Sequence, residues 1–185
     1  LKEMVKNKTY NNVINTLLRL GEYHEQISTT SVGDIWEIDL SKVTKFPLLH
    51  INPTSVATGD SQLTYSFQIF IMDMVSEKTD WTVNNASANF PKLYKTLSNE
   101  QDVLNENLQI CTDFIGMLRH SVQQSLEGTK DINAPIYFTQ DQFNIEPFSE
   151  RFDNLCCGWV FNLGVLVQND FQTCDIPVDT NGAGY

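Results

Sequence analysis

Basic side chains are scarce in this sequence: 12 lysines and arginines stand against 23 aspartates and glutamates, for a formal net charge of −11. Phosphate binding runs on Lys and Arg. The few present are spread along the chain without forming a stripe, which excludes tight, static binding of nucleic acid. A balance of this sign keeps a protein soluble, and it is compatible with a surface that nucleic acid slides past. Long apolar runs are missing too, since nothing approaches the roughly 20 residues of a membrane helix. Residues Leu1 to Thr9 are basic but lack the apolar stretch and small-residue cleavage site of a signal peptide. The chain reads as soluble and not secreted.

Cysteine is limited to Cys111, Cys156, Cys157 and Cys174. In a chain that is neither short nor secretory, these read as free, buried small hydrophobes. For the same reason the sequons at Asn7 and Asn85 carry no message. Of the three histidines, His24, His50 and His120, none has a second His at ligand spacing, and the adjacent Cys156–Cys157 pair is too tight to chelate as CxxC does. The dispersed glycines provide no phosphate loop, dinucleotide fingerprint or GxSxG elbow. No metal and no cofactor is expected. A Cys–His pairing of Cys157 with His50 or His120 lacks an activating environment for a thiolate. The acid pairs Asp102/Glu106 and Glu146/Glu150 show no pocket that would separate their pKa values.

What is present is an ordinary globular composition: 41% hydrophobic and 19% charged over 185 residues, enough for one domain with a real core. A short helix is expected from Thr9 as N-cap through Val13, Ile14, Leu17 and Leu18, ending at Gly21. Residues 22–33 read as turn-like, and Ile35 to Leu40 (IWEIDL) as a strand. Phe46 to Pro53 (FPLLHINP) is an extended segment whose prolines place it at a strand end or sheet edge. After a turn at Gly59–Asp60, Leu63, Tyr65, Phe67, Ile69 and Ile71 alternate in the clearest strand, and Phe70, Met72 and Met74 imply cover on its second side. The strongest helix opens with a Ser98/Gln101 capping box and carries the stripe Leu104, Leu108, Cys111, Ile115, Leu118 and Val122. Its opposite side, with Asp102, Glu106, Gln109 and Asp113, is acidic. A short strand is expected near Ile136 to Phe138, and an unmistakable one through Trp159, Phe161, Leu163, Val165 and Val167. The expected fold is a single α+β domain over 1–185, an antiparallel or mixed sheet with two main helices packed on one face. Its core covers about 9–178, and residues 175–185 form an arm.

Two features nominate contact residues. The connection from Ser76 to Leu97 is too long for a plain turn, and it sets Trp81, Phe90 and Tyr94 among polar residues. Such aromatics either tuck back onto their own sheet or are covered by a partner. The segment EPFSERFD sets charges at the entrance to the last strand, where Arg151 caps the strand or braces an acid across a subunit boundary.

The order of FPLLHINP, LTYSFQIFIMD, the helix EQDVLNENLQICTDFIGML and the closing GWVFNLGVLV resembles the tail-terminator and neck (head–tail connector ring) proteins of tailed bacteriophages, including the crAss-like group. The resemblance covers about residues 9 to 178 and rests on element order, with no catalytic signature. It implies a homo-oligomeric virion ring between head or portal and tail, with a sheet flanking the DNA channel and helices outward. It implies no enzyme and no catalytic residue. The partners would be other copies, portal or connector and tail proteins, and passing DNA, with no membrane. The place of action would be the virion, after synthesis in the host cytoplasm. Ring interfaces of this kind present two different patches of one subunit. Two other readings stand beside this one: a monomeric protein-binding adaptor domain, and a hydrolase with a Cys–His or dicarboxylate site built from distant residues.

Overall fold

The structure, a computed structural model, describes residues 10–35, 38, 45–76, 99–127, 137–140, 142–151 and 155–168. Helix α1 spans Tyr10–Tyr23, and strand β1 spans Thr29–Val32. Strands β2 (Leu48–Thr58) and β3 (Gln62–Met74) form a hairpin turning at Gly59–Asp60, as expected. Helix α2 (Glu100–Glu127) follows, then β4 (Tyr137–Thr139), β5 (Ile145–Arg151) and β6 (Leu155–Gln168). The architecture is α+β, two helices on a six-stranded mixed sheet in the order β1-β2-β3-β6-β4. Only the β1–β2 pairing is parallel. β5 also pairs with β6, on the same edge as β4 but further toward the start of β6.

Period-two alternation sorts the long strands into two faces. Tyr65, Phe67, Ile69 and Ile71 of β3 lie level with Phe161, Leu163 and Val165 of β6 on the helix side. There they meet Val13, Ile14 and Leu17 of α1 and Ile110, Phe114 and Leu118 of α2. Phe67, Phe114 and Phe161 are fully buried, so truncating any of them to Ala would cost about 3–5 kcal/mol. The Trp159 indole Nε1 donates to Leu104 O of α2 at 2.6 Å, and Asn107 Nδ2 donates to Cys157 O at 3.4 Å. Both bonds fix how α2 lies on β6. Gly158 sits where β6 leaves no room for a side chain against β3: a Cβ there would press on Ile71 O and come within 2.7 Å of Met72 Cα.

Four expectations need correction. Gly21 does not end α1, which continues to Tyr23. Gly21 instead lets the helix approach the sheet, since a Cβ would strike the Leu49 side chain and come within 2.8 Å of Thr30 Cγ2. Ile35 does not start a strand: Ile38 N donates to Ile35 O at 3.3 Å, a turn, while Trp36 and Leu40 lie outside the described residues. The 22–33 stretch is more than a turn, because it completes α1 and adds β1. The segment EPFSER is itself a strand, β5, paired with β6.

Helix α2 begins at Glu100, so the residue before it is Asn99, whose O accepts from Val103 N at 3.0 Å. Ser98 of the expected capping box lies outside the described residues. The buried stripe runs through Val103, Asn107, Ile110, Cys111, Phe114, Ile115 and Leu118, leaving Leu104 and Leu108 half-buried. It is rotated from the expected line because Asn107, a polar residue, takes a fully buried position. Asp102, Glu106 and Gln109 are exposed, as expected.

Candidate functional site

The side of the sheet turned away from the helices divides into two parts. At one end Leu48, Phe70 and Met72 are buried beneath Ile35, Ile38, Phe46 and Phe148. This is the expected cover on the second side of β3, though it stops before Met74, which is exposed. Beyond it the surface turns polar. Asn52, Gln68 and Asn162 stand in one cross-strand row, and Asn52 Nδ2 lies 3.5 Å from Gln68 Oε1. Next come the small residues Ser55, Ser66 and Gly164, and then Ala57, Thr64, Leu166 and Phe138. Gly164 is not demanded by the fold, since a Cβ there would meet only Gln140 Oε1 at 3.6 Å and Thr64 Cγ2 at 3.9 Å. Among Asp, Glu, Lys and Arg, strands β2, β3, β4 and β6 together contain one side chain, Asp73, in a protein of net charge −11, beside the buried His50. Among the described residues the other acids sit on the helices, in loops and on β5, which carries Glu146 and Glu150.

Both rims of this surface are only partly closed. β1 pairs with Leu48 to Ile51 alone, so among the described residues the outer edge of β2 from Asn52 to Thr58 has no strand beside it. A bulge lies between Pro53 and Ser55, where Thr54 Oγ1 donates to Ser66 O at 2.9 Å. Val56 on this rim is 52% exposed. On the far rim β4 and β5 leave a gap opposite Asn162, which Gln140 fills by donating from Nε2 to Asn162 O at 2.9 Å. Phe138 of β4 is 48% exposed.

The residues nominated from sequence are placed unevenly. Trp81, Phe90 and Tyr94 lie outside the described residues. Arg151 is the last residue of β5, with its backbone opposite Leu155 at the hairpin end. The long connection leaves and rejoins the fold at one point: Ser76 N donates to Asn99 Oδ1 at 2.8 Å and Asn99 N to Ser76 O at 3.4 Å.

No Cys157–His50 dyad forms. Cys157, level with Asp73, faces the helices, whereas His50, level with Phe70, faces the other way, and β3 runs between them. Burial pushes the Cys111 and Cys157 thiols up to about 12, and Glu100 and Asp73 add to the effect at Cys157. Cys111, Cys156 and Cys157 are free and buried, while Cys174 lies outside the described residues. Burial, reinforced by Glu106, raises the Asp73 carboxyl above its ordinary range. His50 is 2% exposed and holds β1 to β2. Its Nε2 lies 3.0 Å from Gly33 O, which can only accept, so Nε2 carries the proton and Nδ1 accepts from Ser31 Oγ at 2.8 Å. Gly33 supports this with a φ of 143°, a conformation that residues with a Cβ rarely adopt.

No family model matches the chain. No curated protein matches it either. The open rims and the uncharged surface were not nominated from sequence. A signal was there: between Phe46 and Met72 the only Asp, Glu, Lys or Arg is Asp60, in the turn.

Proposed function

We propose that this chain is a structural subunit of a phage neck or tail terminus, forming a homo-oligomeric ring that joins head or portal to tail around the DNA channel, with no enzymatic activity. The observation that carries this reading is the segregation of charge. Acids occupy the helices, the loops and β5, while among the described residues the part of the opposite side formed by β2, β3, β6 and β4 beyond Phe70 is uncovered, carries no Asp, Glu, Lys or Arg, and is made mainly of amides, hydroxyls and small side chains. A strongly acidic protein meets its own copies most cheaply on ground that carries no charge. A channel wall of amides and hydroxyls gives passing DNA no Lys or Arg to release counterions against, and so no grip. The helices, with Asp102 and Glu106 outward, would then face basic partners in the neck.

Light scattering of the purified full chain, followed by electron microscopy of the peak, tests this. The expected result is a closed ring with a mass that is a whole multiple of 21.1 kDa. A stable monomer that also never enters particles refutes it, and favours the adaptor reading.

A further inference from the structure

We infer that copies of this chain join edge to edge, the outer edge of β2 in one copy pairing antiparallel with β4 of the next. This rests on the self-assembly proposed above and adds which edges meet.

Four observations converge on it. The first is level. Val56, Ala57 and Thr58 of β2 lie opposite Tyr65, Thr64 and Leu63 of β3. These lie opposite Val165, Leu166 and Val167 of β6, which in turn face Thr139, Phe138 and Tyr137 of β4. The two rims, open among the described residues, are therefore at the same height on opposite sides of the sheet. The second is direction. Three successive antiparallel pairings separate β2 from β4, so the two strands run oppositely. A second copy set beside the first in the same orientation brings its β4 antiparallel to the first copy's β2.

The third is what guards each rim. Natural sheets protect open edges with charges, prolines and bulges. At the other end of the sheet β1 covers Leu48 to Ile51 of β2, and the edge strand β5 carries Pro147 among Glu146, Glu150 and Arg151. At this end Pro53 and the Thr54 bulge protect only the start of the free edge. Ser55 to Thr58 and Tyr137 to Thr139 carry no charge and no proline. The fourth is fit. Val56 and Phe138 are among the few large apolar side chains left exposed, and they stand on these two rims. On the uncovered face, Phe138 of one copy would lie across the small Ser55 and Ala57 of its neighbour, a large-on-small cross-strand contact.

Each copy then contributes four strands, β2, β3, β6 and β4, to one continuous sheet. Adjacent strands are rotated by roughly 20–25°, so each repeated step turns the next copy, and such a head-to-tail contact makes a ring where the rotation closes and an open filament where it does not.

Two edge variants of the full chain test the pairing: Val56→Lys with Ala57→Lys on β2, and Phe138→Lys with Thr139→Lys on β4. Each variant alone is expected to keep the wild-type circular dichroism spectrum and to sediment as a monomer. Each retains one sound edge of opposite kind, so an equimolar mixture is expected to give a dimer and nothing larger. Folded variants that assemble like the wild type, or a mixture that stays monomeric, overturn the edge pairing while an assembled wild type leaves the ring reading standing. A wild type that is monomeric in solution and absent from particles overturns both. Should either variant fail to fold, Ala57→Cys with Phe138→Cys in a Cys174→Ser background replaces it. Oxidation of that assembled protein yields a ladder of covalent multimers if the edges meet, and an oligomer without a ladder overturns the pairing.

Discussion

Lowering the pH from 7.5 to 5 is expected to destabilise this protein through His50, and the size of the effect follows from its surroundings. The ring is almost fully buried between Ser31 and Gly33 on one side and Phe70 on the other, with ring centroids 6.2 Å apart in the latter contact. Burial lowers its pKa from the ordinary 6.5, against smaller raising effects from Gly33 O and the Asp34 carboxylate. Ser31 and Phe70 are uncharged, so Asp34 is the charged group identified as acting on the ring. A base whose folded pKa is depressed binds fewer protons in the folded state than in the unfolded one. Its contribution is therefore complete above the unfolded value of 6.5 and is lost as pH falls below it, at up to about 1.4 kcal/mol per pH unit within the window. Asp73 works in the opposite sense: its raised folded pKa makes the fold relatively more stable as pH falls toward the ordinary carboxylate range. The two must be separated by substitution.

His50→Gln does this. At pH 7.5 it removes the Ser31–His50–Gly33 bridge, two hydrogen bonds worth about 1 kcal/mol each, and leaves Ser31 or Gly33 O short of a partner, for a total loss of about 1–3 kcal/mol. Urea unfolding of wild type and variant at half-unit steps between pH 7.5 and 5 gives the difference directly. The expected result is a gap that narrows as pH falls, because only the wild type pays for protonation. A gap of constant width, or one that widens toward pH 5, would refute the assignment of the pH dependence to this buried ring.

Glycine 158 and glycine 164 sit in the same strand and should respond oppositely. Gly158→Ala forces a Cβ onto the Ile71–Met72 backbone and should cost more than about 3 kcal/mol, whereas Gly164→Ala should shift the urea midpoint by no more than about 0.5 kcal/mol equivalent; equal effects would contradict the tight approach of β6 to β3 at Gly158. Cys111 and Cys157, buried with thiols held at about 12, should resist iodoacetamide at pH 8 in the folded protein and react fully in guanidinium, as read by peptide mass. Replacing residues 77–98 by a short Gly-Ser bridge should leave the melting transition within a few degrees of wild type, because Ser76 and Asn99 already bond each other at the base, while preventing assembly. An assembly-competent deletion would remove that segment from any role in the ring.

Local pattern carried much of the fold. The alternation of Leu63 to Ile71 and of Trp159 to Val167 marked β3 and β6, whose pairing is the spine of the sheet, because both bury one full side under helices. β1 was illegible for the opposite reason: Thr29 to Val32 is short and mostly polar, and it exists as a strand through parallel pairing with residues 19 positions later. β5 was masked by its own guards, since Pro147 and the flanking charges read as a loop until β6 is there to accept them. The stripe of α2 was misaligned by Asn107, whose place is fixed by Cys157 O rather than by hydrophobicity.

The candidate site was less legible than the fold, and the reason is geometric. Trp81, Phe90, Tyr94 and Arg151 were nominated because large or charged side chains in a loop announce themselves one residue at a time. An unpaired edge announces nothing locally. Ser55, Val56, Ala57 and Thr58 look like any strand residues until the registers show that β1 stops at Ile51, and Phe138 looks like a core residue until β4 is found on the rim. The lack of charge along Phe46 to Met72 is visible in sequence, but it has two meanings: a strand buried on both sides, or a surface open to something uncharged. Leu48, Phe70 and Met72 realise the first, and Asn52, Ser55 and Ala57 the second, within the same two strands. What separates them, among the described residues, is the cover that Ile35, Ile38 and Phe46 give to one end of the sheet. Selection against stickiness would ordinarily place Lys or Glu on the part that no described residue covers. That it holds amides, hydroxyls and small side chains instead, in a chain with 23 acidic residues to spend elsewhere, is the strongest argument that this side of the sheet meets something.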